Sequence, residues 1–175
     1  MSILWQRWLH LTLCLSLSLL LPLQVMAVDE KSVKAAIVYN FSRFVREKDP
    51  SVATRMMCVL GDVPEATIFD EIMSAETLPE GVTYQRLTNF ADMKHRCQIA
   101  FMPAALQDRL QEFLQLADES GLLTISDADN FIEQGGMVGL EVIRGKVRFS
   151  VHVKRVADTG MTIDSQLLRL ARIVE

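Results

Sequence analysis

The sequence has little from which to build a nucleic-acid interface or a familiar catalytic site. Its 18 Lys and Arg are outnumbered by 22 Asp and Glu, giving a net charge of −4 with His neutral. Proteins that hold nucleic acid need a basic surface to neutralise phosphates, so this balance argues against that class. The chain has only three histidines, and it lacks the G-x-S-x-G segment that would expose a serine nucleophile on a sharp turn.

Motifs for metals and nucleotides are incomplete. His95 and Cys97 offer two ligands where a structural zinc ion needs four. The segment from Asp127 to Asn130 resembles the start of a calcium loop, but the glycine at loop position six and the final glutamate are missing. The glycines at 135, 136 and 139 lead into a predicted strand, whereas a dinucleotide fingerprint follows a strand and opens a helix. We therefore expect neither a metal nor a cofactor.

The first 27 residues have the pattern of a secretory signal peptide. They contain one cation, Arg7, and no carboxylate, then a Leu-rich run over 9–23 and the sequence Val-Met-Ala at 25–27. Small residues at the −3 and −1 positions predict cleavage after Ala27. A membrane anchor is the alternative, but the run is short for a span of about 20 residues, and Pro22 interrupts it. We expect residues 1–27 to be removed, leaving a single periplasmic domain over 28–175.

Two cysteines, Cys58 and Cys97, lie beyond the predicted cleavage site. An even number of cysteines in an oxidising compartment predicts a disulfide. One alternative is two buried thiols that never meet. Another is a thiol-dependent periplasmic enzyme with His95 as its base, which needs a free thiolate and therefore excludes the bridge.

Helical and strand patterns alternate along the rest of the chain. Helices are predicted at 31–45, 64–76, 104–120, 127–134, 153–159 and 164–173, and strands at 56–60, 82–87, 98–102 and 122–126. Two further strands, 137–143 and 146–151, form a hairpin across Arg144 and Gly145. This order predicts an α/β fold with a mixed, mostly parallel sheet flanked by helices on both faces, a C-terminal β-hairpin and a closing helix.

Three polar residues are predicted at the edge of the sheet where α/β domains often bind ligands. Asp62 follows the first strand, and Ser126 and Asp127 stand at the end of another. Together they suggest a crevice for a small ligand, as in a periplasmic small-molecule receptor. The other interpretation is that the two aspartates cap the helices that follow them.

Several segments occur in an order and spacing typical of one family. They are KAAIVYNFSRFV at 34–45, CVLGD at 58–62, CQIAFM at 97–102, LTISD at 123–127, Phe131, GGMVG at 135–139, GKVRF at 145–149, and Ile163, Ser165, Leu167 and Leu168. In the order and spacing of these segments the chain resembles the YfiR family of periplasmic regulators. The resemblance covers nearly all of the chain after the predicted signal peptide. Some members carry a second cysteine pair near the 135–139 segment, and this chain lacks it.

The resemblance implies a repressor and not an enzyme. Such a protein binds the periplasmic sensor region of an inner-membrane diguanylate cyclase, restraining cyclic-di-GMP synthesis and biofilm formation. An OmpA-type outer-membrane lipoprotein sequesters it. The resemblance also implies a homodimer, and a disulfide between Cys58 and Cys97 that supports folding.

The C-terminal hairpin region is locally basic in this acidic chain. The partner-binding residues that we expect there are Arg148, Ser150, His152, Arg155 and Val156. The alternative is an ordinary solvated hairpin face. Because no second apolar stretch is long enough to span a bilayer, we expect no direct membrane insertion once the signal is cleaved.

Overall fold

A computed structural model describes residues 29–47, 54–75 and 78–175. The predicted signal peptide lies outside these ranges. The helices are α1 (Glu30–Phe44), α2 (Pro64–Ala75), α3 (Met93–Arg96), α4 (Leu110–Ser120), α5 (Val153–Asp158) and α6 (Ser165–Leu168). The strands are β1 (Val45–Glu47), β2 (Arg55–Leu60), β3 (Val82–Leu87), β4 (Ile99–Met102), β5 (Leu123–Ser126), β6 (Val138–Ile143), β7 (Lys146–His152), β8 (Met161–Ile163) and β9 (Arg172–Val174). None of the helices in these ranges has the length and hydropathy that crossing a bilayer requires.

The strands form a seven-stranded sheet in the order β3-β2-β4-β5-β6-β7-β9 and a separate antiparallel pair, β1 with β8. From β3 to β6 every neighbouring pair is parallel. The chain then reverses, so β7 is antiparallel to β6, and β9 returns parallel to β7 at the edge. The predicted mixed, mostly parallel sheet is confirmed. The order changes direction at β2, whose neighbours β3 and β4 lie on opposite sides of it.

Helices cover both faces of the sheet, as predicted. On one face, α1 and α2 pack with the apolar residues of β2, β4, β5, β6 and β7. On the other face, α3 and α4 pack around Phe90 and Phe113. Buried strands of a parallel sheet read as continuous apolar runs, and β4 and β5 are buried along their whole length.

Helix α1 is defined by a polar start and one apolar face. Asp29 caps it by accepting a hydrogen bond from the backbone N–H of Ser32 at 3.2 Å. Ala35, Val38 and Phe41, spaced by three residues, are fully buried. The Phe41 ring packs edge-on against Phe149 of β7, with the ring centres 5.4 Å apart. Helix α1 therefore bridges the parallel and antiparallel parts of the sheet.

The predicted disulfide is present. Cys58 lies in β2 and Cys97 directly precedes β4, with their Cα atoms 5.8 Å apart. Both residues are buried on the α3 and α4 side of the sheet. The bridge ties together two neighbouring core strands. It also leaves no free thiolate at either cysteine, which removes the nucleophile that the thiol-enzyme alternative requires.

Three predicted helices differ from the structure. Residues 127–134 form turns, in which Asn130 has a left-handed φ of 53°. Residues 104–109 form a 3₁₀ segment with non-helical geometry at Leu106, so α4 begins only at Leu110. The closing helix is the short α6, and the chain after it forms β9 instead of continuing as helix. This last stretch is extended because β7 offers it an open edge for backbone hydrogen bonds.

Removing the disulfide should destabilise the domain without changing its fold. The bridge joins residues 39 positions apart, and closing a loop of that size contributes about 4 kcal/mol in the chain-entropy model. We expect Cys58→Ala/Cys97→Ala to lower the free energy of unfolding by about that amount in urea titrations followed by circular dichroism. The unsubstituted protein in reducing agent is the matched control and should lose a similar amount. An unchanged unfolding midpoint in both samples would contradict this role for the bridge.

Candidate functional site

The five predicted partner-binding residues fall in different environments. Arg148 is exposed on β7, and His152 is half-buried at the end of the same strand. Arg155 pairs with Asp118 of α4 at 2.8 Å. Ser150 and Val156 are each only 2% exposed, so neither side chain lies at the surface of this chain. Of the five residues, Arg148, His152 and Arg155 can therefore contact a partner directly. For these three residues the contact stays a prediction.

Ser150 instead helps to tie three strands together. Its hydroxyl donates to Glu141 Oε1 of β6 at 3.3 Å and accepts from Arg172 Nε of β9 at 2.9 Å. Arg172 also reaches Glu141 directly, at 3.1 Å. Glu141 lies opposite Arg148 in the β6–β7 register, but its charge is balanced by Arg172. No ion pair involving Arg148 occurs among the described residues.

The predicted ligand crevice is only partly assembled. Ser126 is fully buried, where its hydroxyl donates to the Met102 carbonyl at 2.7 Å and accepts from the Ala128 N–H at 3.0 Å. Asp62 is exposed and meets Arg86 of β3 at 3.3 Å. Because β3 lies on the far side of β2 from β4, Asp62 faces away from the Ser126 end of the sheet. Ser126 is committed to the turn after β5, and Asp62 does not join it.

Asp127 has a different role from the helix cap considered from sequence. Its Oδ2 accepts from Lys34 Nζ of α1 at 2.8 Å, and its Oδ1 accepts from the Ala104 N–H at 2.6 Å. Lys34 also pairs with Glu30, one turn earlier in α1, at 2.7 Å. The side chains of Lys34 and Asp127 are only 16% and 10% exposed. This ion pair therefore locks the start of α1 onto the end of β5.

The pKa of Lys34 reflects this setting. Burial alone would lower it, but the hydrogen bonds from its ammonium group to Asp127 and Glu30 outweigh burial and raise the pKa above the usual lysine value. A raised pKa in the folded state means that the protonated amine stabilises the fold. That stabilisation is complete at neutral pH and is lost only as the pH rises through the raised value.

The crevice at the point where the strand order changes is almost filled. Lys31 pairs with Glu65 of α2 at 2.8 Å, beside the Lys34–Asp127 pair. Between these pairs and Phe69, Phe101 and Pro103 about 20 Å³ remains, which is room for roughly one water molecule. The site where doubly wound domains usually bind ligands is thus occupied by the side chains of α1.

A larger cleft lies next to it, beyond β5. Its volume is about 580 Å³, within the usual range for small-molecule sites. The walls are Lys34 from α1, the turn residues from Asp127 to Glu133, Gly139 to Val142 of β6, and Arg172 of β9. Both basic side chains in this lining are already paired with carboxylates. No group of three or more metal-ligating side chains suited to an ion occurs in the described ranges.

A family model described as YfiR/HmsC-like matches residues 31–172. The chain belongs to this family. The match spans Lys34, Asp127 and Arg172, so the closed crevice and the open cleft both lie inside it. The YfiR/HmsC-like family comprises periplasmic regulators and not catalytic proteins, and the resemblance found from sequence is confirmed. No curated protein matches the chain.

Solved structures share the fold of this YfiR/HmsC-like chain at low identity. A conserved domain protein from Vibrio cholerae is 11% identical with a TM-score of 0.56, covering 85% of this chain and 61% of that one. The ABC domain in complex with L-Trp from Streptococcus pneumonia is 11% identical with a TM-score of 0.61, covering 78% and 62%. The ligand-free, open structure of CD0873, a substrate binding protein with adhesive properties from Clostridium difficile, is 10% identical with a TM-score of 0.50, covering 69% and 54%. The chain thus spans about three fifths or less of these proteins, and the likeness shows the fold alone.

Sequence reasoning missed Lys34 and Arg172, the two basic residues that organise this end of the molecule. The spacing of Glu30 and Lys34 indicates an ordinary pair on a helix surface. Nothing local to Lys34 indicates Asp127, which lies 93 residues further along the chain. Arg172 was placed in a predicted helix, so its position beside Ser150 could not be anticipated.

Lys34 and Asp127 should be energetically coupled. Replacing Lys34 with Met leaves the Asp127 carboxylate mostly buried without its cation, so we expect a loss of about 2 kcal/mol in unfolding free energy. Asp127→Asn keeps an oxygen for the Ala104 N–H but removes the charge, and the double variant should lose less than the sum of the two single variants. Lys31→Met is the control, because the Lys31–Glu65 pair is more exposed. Additive losses in urea titrations would contradict the coupling.

Proposed function

We propose that the chain represses a membrane-bound diguanylate cyclase by binding its periplasmic sensor region, and so restrains cyclic-di-GMP signalling and biofilm formation. Membership of the YfiR/HmsC-like family supports a periplasmic regulator. Such a regulator needs no chemistry of its own. It must bind one conformation of the cyclase better than the other, and the equilibrium shifts by that difference in binding free energy.

The observation that carries the proposal is the contrast between the two ends of the sheet. The usual ligand crevice is closed by α1, whereas Arg148 is exposed on the face of β6, β7 and β9. Residues 138–175 carry seven Lys and Arg against four Asp and Glu, while residues 29–137 carry ten against 18. A basic, open face on an acidic molecule suits a partner with an acidic surface.

We name this surface the docking face and define it by Arg148, His152 and Arg155. All three lie on the same side of the sheet, because Arg148 and His152 alternate with buried residues along β7 and Arg155 pairs with α4 on that side. The Glu141–Ser150–Arg172 network joins the three strands on the same face of the sheet. Interfaces commonly depend on a few anchors of this kind, with arginine among the most frequent.

A homodimer and an OmpA-type lipoprotein that sequesters the repressor belong to the same proposal. A lipoprotein that covers the docking face would release the cyclase by competition, with no change in the fold of the repressor. Sequestration and repression would then be mutually exclusive. This requires both partners to meet Arg148.

A periplasmic small-molecule receptor is the second candidate. The cleft of about 580 Å³ favours it, because a ligand there would touch Glu141 and Arg172, on the same face of the sheet as Arg148. A thermal-shift screen of periplasmic metabolites separates this candidate from a purely protein-binding regulator, since a ligand that binds only the native state raises its melting temperature.

Deleting the gene in a host that has the cyclase should raise cyclic-di-GMP, and the native gene should restore the low level. A gene carrying Arg148→Glu should fail to restore it, because the substitution reverses the charge of the exposed arginine of the docking face. Arg96→Glu is the matched control, since Arg96 is an exposed arginine on α3, on another part of the surface. It should restore the low level fully, as measured by mass spectrometry of nucleotide extracts.

Two results of this experiment have different meanings. An unchanged cyclic-di-GMP level after deletion, with the cyclase present, refutes the repressor. A rise that Arg148→Glu reverses as well as the native gene keeps the repressor but rejects this docking face. Immunoblots of periplasmic extracts must show equal amounts of each variant.

A further inference from the structure

Within the described ranges, the large aliphatic side chains that are most exposed all lie in the C-terminal part of the chain. They are Val142, Ile143, Leu170 and Ile173, which are 43, 48, 69 and 46% exposed. Two of them, Val142 and Ile143, stand at the end of the β6–β7 hairpin. We name residues 142–147 the hairpin tip.

The hairpin tip is apolar on both of its faces. Neighbouring residues of a strand point to opposite sides, so Val142 and Ile143 cannot lie on the same face. Val142 is paired in register with Val147, which adds a further aliphatic side chain on its side. The tip ends in a tight turn at Arg144 and Gly145, where both residues have left-handed φ angles of 52° and 71°. The result is a narrow projection with aliphatic side chains on two sides.

Cations surround these aliphatic side chains and are not neutralised. Arg144, Lys146 and Arg148 are exposed, and none of them forms an ion pair within the part of the chain that the structure describes. The nearest carboxylate in sequence, Glu141, is paired with Arg172. Leu170 is a further exposed aliphatic residue toward the tip. Strand β9 runs parallel to β7, so the residues just before β9 lie beside the part of β7 that is nearer the tip. Arg169 is the exposed neighbour of Leu170.

From this arrangement we infer that the hairpin tip docks onto the surface of an anionic phospholipid bilayer. A protein surface would cover one face of the hairpin and leave the other in water, and valine and leucine are under-represented among the residues that anchor protein interfaces. A bilayer interface surrounds a projecting tip on all sides. Aliphatic side chains can enter the boundary between headgroups and acyl chains, while the cations meet lipid phosphates.

The inference goes beyond the proposed function and does not depend on it. It also departs from the expectation, drawn from sequence, that the cleaved chain makes no direct membrane insertion. That expectation rested on the lack of a second long apolar run, whereas a tip of six residues enters only the interface. A regulator held at the membrane would search for a membrane-bound partner in two dimensions, which raises its effective concentration.

Vesicle flotation tests the inference directly. The full-length gene is expressed in a Gram-negative host, and the protein is purified from the periplasmic fraction. It is mixed with vesicles of phosphatidylcholine alone or of phosphatidylcholine with 30% phosphatidylglycerol. We expect binding to the anionic vesicles only, weakened at 1 M salt, where the screening length falls to about 3 Å. Equal binding to both vesicle types, or to neither, would overturn the inference.

Two double variants separate the two parts of the tip, and two further variants are controls. Val142→Ser/Ile143→Ser keeps every charge and Arg144→Gln/Lys146→Gln keeps every aliphatic group, and each should reduce binding to anionic vesicles about tenfold or more. Ile143→Leu should bind like the native protein. Arg43→Gln/Arg96→Gln removes the same charge from exposed arginines on α1 and α3, outside the tip, and should change binding little. Melting curves of each variant confirm its fold.

The same variants distinguish a lipid contact at the tip from a protein contact. If the serine and glutamine variants bind vesicles as well as the native protein does but fail to repress the cyclase, the tip is a protein interface and the inference is wrong. If they lose vesicle binding while Arg148→Glu alone loses binding to a soluble periplasmic fragment of the cyclase, the two surfaces are distinct. That result would support the inference whether or not the cyclase is the natural partner.

Discussion

The packing of α1 across the sheet is the constraint on which the rest of the molecule depends. Its apolar face buries Ala35, Val38 and Phe41, and Phe41 reaches Phe149 in the antiparallel part of the sheet. Its polar start places Lys34 against Asp127 at the end of β5. The same helix therefore joins the two halves of the fold and fills the crevice at which related architectures bind ligands. In this fold the larger cleft and the proposed docking face lie instead at β6, β7 and β9.

Local sequence patterns were sufficient for the buried parallel strands, for the β6–β7 hairpin and for the disulfide. The continuous apolar runs of β2, β4 and β5 predicted buried strands, and the tight turn at Arg144 and Gly145 was predicted because short hairpins favour left-handed residues. The disulfide was predicted from an even cysteine count in a chain with the pattern of an exported protein. In each case the decisive interaction lies within a few residues or in the composition, so the sequence alone contains the signal.

Features that depend on distant residues could not be predicted. The turn at 127–134 has the composition of a short helix, but Asp127 is held by Lys34 and by the Ala104 N–H, and Ser126 by Met102. The segment that ends in β9 has a helical pattern, yet β7 offers it an open edge and Arg172 finds Ser150 and Glu141 there. Ser150 and Val156 were predicted to lie at the surface. The residue patterns of β7 and α5 do not reveal which face of each element its neighbours cover. Tertiary contacts overrode local preference at each of these positions.

The central claim is that the chain meets its regulatory partner through β6, β7 and β9 and not through the crevice at the end of α1. Hydrogen exchange of the purified protein, alone and with the purified periplasmic region of the cyclase, tests it most directly. The account predicts slower exchange in peptides covering 138–152 and 169–175 when the partner is present, with peptides from α3 and β3 unchanged. Protection confined to α1 and the 127–134 turn, with none in β6, β7 or β9, would contradict it.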